Sequence, residues 1–336
     1  MNILVTGSAG FIGFHLTLAL LRKGNTVTGL DSLNDYYDPE LKKSRLNLIL
    51  ESPEAANFTF IKENIADEEA VMKIFKENQF DIVINLAAQA GVRYSIENPH
   101  EYVDSNLVGF VNIIEGCRQS KIEHFIFASS SSVYGMNTKQ PFSVKDRADY
   151  PVSLYAATKR SNELIAHAYS HLYQIPTTGL RFFTVYGPFG RPDMAYYKFT
   201  DAIINDRPID VFNNGEMMRD FTYIDDIVEG LLRVIDKMPI TAHNQYSSSN
   251  PPYKIYNIGN NNPVKLHDFI KSIENACGKI ANINNLPMQP GDVPVTYAEI
   301  DDLISDVGFK PKTSIDDGIK KFVEWYIMFQ NQNNAE

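Results

Sequence analysis

Residues 1–31 constrain this chain more than any other stretch. Residues 2–6, Asn-Ile-Leu-Val-Thr, are a short apolar, β-branched run that predicts a buried strand, and they lead straight into Gly7-Ser-Ala-Gly10-Phe-Ile-Gly13. Gly7 permits a tight turn off the strand, Gly10 lets backbone approach a pyrophosphate closely, and Gly13 lets the next helix pack on the sheet. That helix, expected over about 11–23, starts with Phe11 and Ile12 and aims its free N-terminal amides at the phosphates. A second apolar run, 25–30, ends in Asp31, 18 residues past Gly13. An acid there accepts adenosine ribose hydroxyls and repels a 2′-phosphate. Strand, glycine triplet, helix and terminal acid together predict a dinucleotide site for NAD rather than NADP.

The rest of the chain has room for one large α/β unit and a smaller lobe, since it holds 336 residues. Its net charge of -10 argues against general nucleic-acid binding, so an anionic ligand must be held by local arginines and helix ends. Cys117 and Cys277 show no metal or redox spacing and read as idle thiols in a reducing compartment. His167 and His171 share a helix face with Glu163 one turn before, but no further ligand clusters near them in sequence, so no metal is expected. No apolar run approaches the ~18 residues of a membrane span, and the first residues read as a strand rather than a leader. A cytoplasmic protein with no membrane partner is the expectation.

Apolar runs alternate with helical stretches, as a doubly wound parallel sheet of the Rossmann type requires. A turn-rich loop holding Asn34 follows Asp31, and a helix is expected over about 40–50. The third strand, 58–61, leads to Asn64 and Ile65 at the adenine edge. The fourth, 81–86, ends at Leu86 and runs into the small residues Ala87 and Ala88 and then Gln89, where a nicotinamide ribose can lie close. A helix over about 102–119 carries Ser105, and the fifth strand, 124–128, ends at Ala128 and empties into Ser129, Ser130, Ser131 and Ser132. The sixth strand, 177–183, brings in Phe182. Residues 1–184, with about 222–260 returning to it, form the expected dinucleotide domain; about 185–221 and 261–336 form the smaller lobe. Residues 241–252 are expected to be a surface loop.

Ligands of open parallel sheets sit beyond the carboxyl ends of strands, so the serines face the crevice. Tyr155-Ala-Ala-Thr-Lys159 follows, at the start of a helix expected over about 152–173. Positions i and i+4 share a helix face, which sets phenol and ammonium side by side. A phenol with a pKa near ~10 is a poor base at neutral pH, but a lysine cation and an oxidised nicotinamide favour the phenolate. Ser130 then bonds the reacting alcohol and passes its proton to Tyr155.

The G-x-x-G-x-x-G spacing with Ser130, Tyr155 and Lys159 resembles the extended short-chain dehydrogenase/reductase family, along nearly the whole chain. Val211-Phe212, Arg219 and Gly291-Asp292 resemble positions at which its nucleotide-sugar branch sandwiches uracil, clamps a phosphate and holds the uridine ribose. Gln289 stands where UDP-galactose 4-epimerases commonly place a second arginine. The segments 34–38, 88–95 (with Gln89 and Arg93), 129–135, 181–188 and 190–194 are similar to UDP-glucuronate 4-epimerases. The resemblance implies a UDP-sugar partner, UDP-glucuronate or UDP-galacturonate, and a homodimer built on the helices near 102–119 and 152–173.

The serine run narrows the chemistry within that resemblance. Dehydratase relatives carry Asp-Glu directly after the catalytic Ser or Thr, and UDP-glucuronate decarboxylases typically place Glu where Ser132 stands; this chain has Ser131 and Ser132. Oxidation and re-reduction at C4 is then the reaction left. A 4-keto glucuronate is a β-keto acid prone to lose carbon dioxide, so neutral hydroxyls should hold its carboxylate. Ser131, Ser132 and Thr184 are the candidates, with Arg191 supplying nearby positive charge. A 4-epimerase of UDP-glucose or UDP-N-acetylglucosamine, a UDP-glucuronate decarboxylase and a non-catalytic NAD sensor remain as alternatives.

Overall fold

The computed structural model describes residues 1–244, 247–288 and 293–333. Among them, β1 (Asn2–Thr6), β2 (Thr26–Leu30), β3 (Phe58–Ile61), β4 (Ile82–Asn85), β5 (His124–Ser130) and β6 (Thr177–Phe182) join the strand Tyr253–Ile258 in one seven-stranded sheet. From edge to edge the order is Tyr253–Ile258, β6, β5, β4, β1, β2, β3, and every pairing is parallel. The chain winds outward from β1 in one direction and from β4 in the other. Right-handed crossovers therefore send the two halves to opposite faces, and the loops after β1 and β4 part at their carboxyl ends.

Both faces of the sheet are covered, which is why the strands read as nearly unbroken apolar runs. Side chains alternate across a strand, so Ile3 and Val5 enter one core while Leu4 enters the other. The first core takes in α1 (Phe11–Arg22) and the helices Pro39–Leu50 and Ile224–Ile235; the second takes in Glu68–Glu77 and Gly109–Ser120. The helix Ile224–Ile235 packs on α1, and Tyr253–Ile258 completes the sheet beside β6.

Smaller sheets stand beyond the carboxyl edge. Thr184–Tyr186 pairs with Met218–Tyr223, which pairs in turn with Pro263–Lys265, while Ile209–Phe212 lies parallel to Ile283–Leu286. The helices Ala195–Ile204, Leu266–Cys277 and Ile315–Asn333 close around them.

Two expectations need correction. Residues 241–252 are not wholly loop: Ala242–Asn244 and Ser247–Asn250 pair as antiparallel strands, a ladder that a Ser, Asn and Pro composition does not announce. The helix expected over about 102–119 starts at Pro99 and is interrupted by a π turn, Asp104–Val108, before it resumes at Gly109–Ser120. A π turn leaves backbone carbonyls without helical partners, and one of them is used at the site described below.

Gly13 holds α1 against the turn that precedes it. A Cβ at Gly13 would lie 2.0 Å from the Gly7 carbonyl oxygen and 3.0 Å from the Ser8 Cα, both backbone atoms with no room to yield. Gly13→Ala should therefore lower stability by about 3 kcal/mol despite the better helix propensity of alanine. Thermal unfolding that matches the wild type would show that α1 can lift without penalty.

Candidate active site

A cleft of about 1080 Å³ opens where β1 and β4 part. Gly7 turns there with a φ of +70°, its amide donating to the Leu30 carbonyl at 2.7 Å. The Thr6 hydroxyl donates to Asn85 Oδ1 at 2.6 Å and accepts from the Ala87 amide at 3.1 Å, so the exits of the two strands share a seam. A Cβ on Gly7 would lie 2.8 Å from the Ala87 nitrogen. Bare backbone thus lines the place where a pyrophosphate must approach.

Asp31 stands at the tip of β2. Its oxygens accept the amides of Ala9 at 3.1 Å and Leu33 at 2.9 Å, which aims the carboxylate and leaves each oxygen with a further lone pair for ribose hydroxyls. The glycine cradle and this oriented acid fit a dinucleotide lacking a 2′-phosphate. The other expected cofactor positions, Gly10, Phe11, Ile12, Gly13, Asn34, Asn64, Ile65, Leu86, Ala87, Ala88, Gln89, Ser105, Ala128, Ser129 and Phe182, all line the same cleft.

β5 runs on to Ser130, two residues further than its apolar stretch, and delivers that hydroxyl to the crevice. Ser153 caps the facing helix, Leu154–Tyr173, its side chain accepting the Ala156 amide at 3.1 Å, so Tyr155 lies in the first turn and Lys159 one turn later. Burial holds the Tyr155 phenol above its ordinary pKa, while a hydrogen bond with Ser130 and the charge of Arg191 pull it down. Lys159 is buried, which lowers its pKa to about 8, and its Nζ donates to the Ala128 carbonyl at 3.0 Å.

Beneath this set lies a buried cluster that motif spacing did not single out. Glu163, one turn beyond Lys159, accepts the Ser129 hydroxyl at 2.6 Å, two hydrogen bonds from the Arg181 fork at 2.8 Å each, and Arg160 at 2.7 Å. Burial works against the Glu163 charge, but these donors hold it below the ordinary carboxylate range. Ser129 and Arg181 are paired neighbours on β5 and β6, so the cluster bolts the Tyr155 helix to both strands. The i+4 step from Lys159 to Glu163 is visible in sequence; the arginine partner is not, because it comes from another strand. Asn106, inside the π turn, accepts the Gln89 amide at 2.8 Å and donates to the Gln89 carbonyl at 3.0 Å, while its own carbonyl accepts Asn162 at 2.6 Å.

On the far side of the cleft stand Ser131, Ser132, Thr184, Arg93, Phe212, Arg219 and Arg191. Ser130 donates to the Ser132 hydroxyl at 3.1 Å, and the Arg93 guanidinium lies 4.8 Å over the Phe212 ring. Val211 does not reach the cleft: strand alternation turns it wholly into the core and leaves Phe212 facing out. Gln289 and Asp292 lie outside the described residues. Arg191 also differs from expectation, because its charge is paired: Nε donates to Asp193 Oδ1 at 2.9 Å and Nη2 reaches Oδ2, which also accepts the Tyr36 hydroxyl at 3.2 Å. Burial opposes both charges, yet the pairing wins, keeping Asp193 below the ordinary carboxylate value and Arg191 above its own. No three His, Cys, Asp or Glu side chains cluster to hold a metal among the described residues, and His167 packs its ring on Tyr253. None of the described helices is long and apolar enough to cross a membrane.

A parallel sheet parted over a glycine turn, with a second lobe facing the same cleft, defines a dinucleotide-binding α/β protein of the Rossmann type. More narrowly, the chain belongs to the NAD dependent epimerase/dehydratase family, whose model matches residues 3–259. It is 57% identical over 336 residues to Protein CapI of Staphylococcus aureus, covering 98% of this chain and 99% of that protein. A probable UDP-glucuronate 4-epimerase of Rhizobium meliloti is 47% identical, with 97% of each chain covered. Among solved structures, the UDP-glucuronic acid 4-epimerase of Bacillus cereus in complex with UDP-glucuronic acid and NAD superposes with a TM-score of 0.87 at 33% identity, over 98% of this chain and 100% of that one.

Asp31→Ala removes the only acid that β2 presents to the cleft. It should weaken NAD binding about tenfold, the worth of one charge-assisted hydrogen bond, and narrow the preference over NADP. Titration calorimetry with the two dinucleotides reads both effects; unchanged affinities would remove Asp31 from the ribose site.

Proposed function

We propose that this chain is an NAD-dependent 4-epimerase that interconverts UDP-glucuronate and UDP-galacturonate. The observation that carries the reading is the convergence of Ser130, Tyr155 and Lys159 on one cleft with the glycine turn, rimmed by the neutral hydroxyls of Ser131, Ser132 and Thr184. The Rhizobium meliloti relative and the Bacillus cereus complex named above support the same sugar nucleotide.

In this reading the Tyr155 phenolate takes the proton of the C4 hydroxyl, and Ser130, in the same cleft, relays it. NAD, held by the glycine turn and Asp31, would supply an acceptor for the C4 hydride and its later return, and its oxidised ring would favour the phenolate. Lys159, anchored on Ala128, keeps a positive charge beside the reacting oxygen as long as it stays protonated. The 4-keto sugar then turns over in the cleft, takes the hydride on its other face, and recovers its proton from Tyr155. Ser131, Ser132 and Thr184 hold the sugar carboxylate with hydroxyl donors, and pairing with Asp193 keeps Arg191 from acting as a bare cation beside a β-keto acid. Arg219 and Phe212 would hold the phosphate and uracil.

The division of labour in the chain follows from the same reading: 1–184 with 222–260 hold the dinucleotide, and 185–221 with 261–336 the sugar nucleotide. A homodimer fits the exposed apolar residues Val103, Val108 and Val111 on one helical stretch and Leu164, Leu172 and Tyr173 on the helix Leu154–Tyr173. A cytoplasmic setting is consistent with two free thiols.

Incubation with UDP-glucuronate should yield UDP-galacturonate, and Tyr155→Phe should cut turnover by about two to four orders of magnitude while leaving NAD bound. Turnover of UDP-glucose alone would instead favour the neutral-sugar alternative. For both groups to be in their working forms, the positive ring of bound NAD must bring the Tyr155 phenol below the value of about 8 at which Lys159 loses its proton; the kcat profile should then fall on the alkaline side as Lys159 deprotonates and on the acid side as Tyr155 gains a proton. A rate still rising past pH 10 would contradict the role of the ammonium.

The hydroxyl grip has its own readout. Ser132→Ala and Thr184→Ala should raise the share of carbon dioxide and UDP-pentose among the products, measured by mass spectrometry of the nucleotide sugars. If the product ratio stays at the wild-type value in both variants, the carboxylate is held elsewhere.

A further inference from the structure

Arg45 is wholly buried on the helix Pro39–Leu50, outside the cleft, and no carboxylate pairs with it among the described residues. Its hydrogens go to backbone carbonyls instead. Nη1 donates to the Ala9 carbonyl, inside the glycine turn, at 2.9 Å and to the Tyr37 hydroxyl at 2.6 Å. On the other side, Nε and Nη2 donate to the Phe189 carbonyl at 3.1 and 2.7 Å, and Nη2 reaches the Gly190 carbonyl at 3.4 Å. The preceding carbonyl, Pro188, is held at 2.9 Å by His15 Nε2 of α1, which must be the donor because a carbonyl only accepts.

Three successive carbonyls, 188 to 190, are therefore fastened to the dinucleotide half of the molecule, and the next residue is Arg191. The segment needs such fastening. Phe189 holds a left-handed φ of +58° and Gly187 a φ of +145°, conformations that an unrestrained loop leaves readily. A buried cation without a counter-charge is expensive to keep, and a purely space-filling role is met more cheaply by an apolar side chain. What an apolar side chain lacks is a planar fork that fixes two separate backbone segments at once.

We propose that Arg45 is a positioning residue that ties the loop carrying Arg191 to the glycine turn, so that seating NAD on the turn sets where Arg191 meets the sugar nucleotide. The sugar end of this claim rests on the function proposed above; the mechanical link does not. Arg45 touches neither cofactor nor substrate and acts through Ala9 on one side and Phe189 and Gly190 on the other. His15 secures the same loop independently.

The test uses full-length Arg45→Met, which keeps length and loses every donor, Arg45→Lys, which keeps the charge but not the fork, and His15→Phe, which keeps the aromatic packing but frees Pro188. Hydrogen–deuterium exchange of residues 189–192 is followed with and without added NAD. In the wild type NAD should slow exchange of this segment; in Arg45→Met the protection should be lost, in Arg45→Lys it should stay lost, and in His15→Phe it should be partial. The KM for UDP-glucuronate should rise about tenfold in Arg45→Met with kcat changed far less, because ground-state placement and not the proton relay is impaired. NAD protection of 189–192 that survives in a folded Arg45→Met overturns the proposal, as does full restoration by lysine. Should Arg45→Met fail to fold, Arg45→Lys carries the test alone, and wild-type NAD protection in it is the overturning result. If the wild type shows the protection but no turnover of UDP-glucuronate, the link stands and the substrate reading falls.

Discussion

The parting of β1 from β4 at their carboxyl ends is the constraint on which the rest of this molecule depends. Two strands that are hydrogen-bonded neighbours send their chains to opposite faces, and the gap between the departing loops lets a long ligand lie across the sheet edge without displacing a side chain. Gly7 keeps that gap narrow and lined by backbone, and the Thr6–Asn85–Ala87 seam keeps it rigid. Ser130 from β5 and Thr184 just beyond β6 reach the same edge because all the strands run in one direction. One topological fact therefore brings together the glycine turn, the Asp31 carboxylate and the set of Ser130, Tyr155 and Lys159 from parts of the chain far apart in sequence.

The charges obey a second logic. A chain of net charge -10 that binds a dinucleotide and a sugar nucleotide, both anions, repels its own ligands at long range. It compensates locally, and much of the compensation is indirect. Arg191, in the cleft, is paired with Asp193, while Arg181 and Arg45, outside it, are engaged by Glu163 and by backbone carbonyls, so these three add little positive potential to the cleft. Such pairing suits chemistry in which an intermediate β-keto acid must keep its carboxylate, since a bare cation in the wrong place would steady the enolate formed when carbon dioxide leaves. The buried Glu163 network serves rigidity: the helix with Tyr155 and Lys159 is pinned to both strands beneath it, which fixes the phenol relative to the end of β5.

Element by element, the sheet was legible because each buried strand needs an apolar run and each crossover helix an amphipathic one. The strand Tyr253–Ile258 joins the main sheet and the helix Ile224–Ile235 covers it, although both lie within the second half of the sequence. Departures occur where local pattern underdetermines geometry. The stretch 99–120 has a helical period, but a single extra residue in one turn makes the π bulge that frees Asn106, and periodicity over four turns cannot resolve one residue. Val211 and Phe212 are both apolar, and which faces the cleft is settled by strand register, a property of the pairing between 209–212 and 283–286.

Sequence by itself determined the class of ligand and the chemical groups offered to it. Glycines at a strand's end, an acid at the tip of the next strand and a tyrosine one helical turn before a lysine act through local backbone geometry, which neighbouring residues dictate. Tertiary structure alone decided how those groups are charged and aimed. That Tyr36 reaches the Asp193 carboxylate paired with Arg191, that Lys159 rests on Ala128, and that Arg45 joins the glycine turn to residues 189 and 190 are contacts between segments as much as 157 residues apart. Burial and partnership at such separations are set by packing, and no window of the chain contains them.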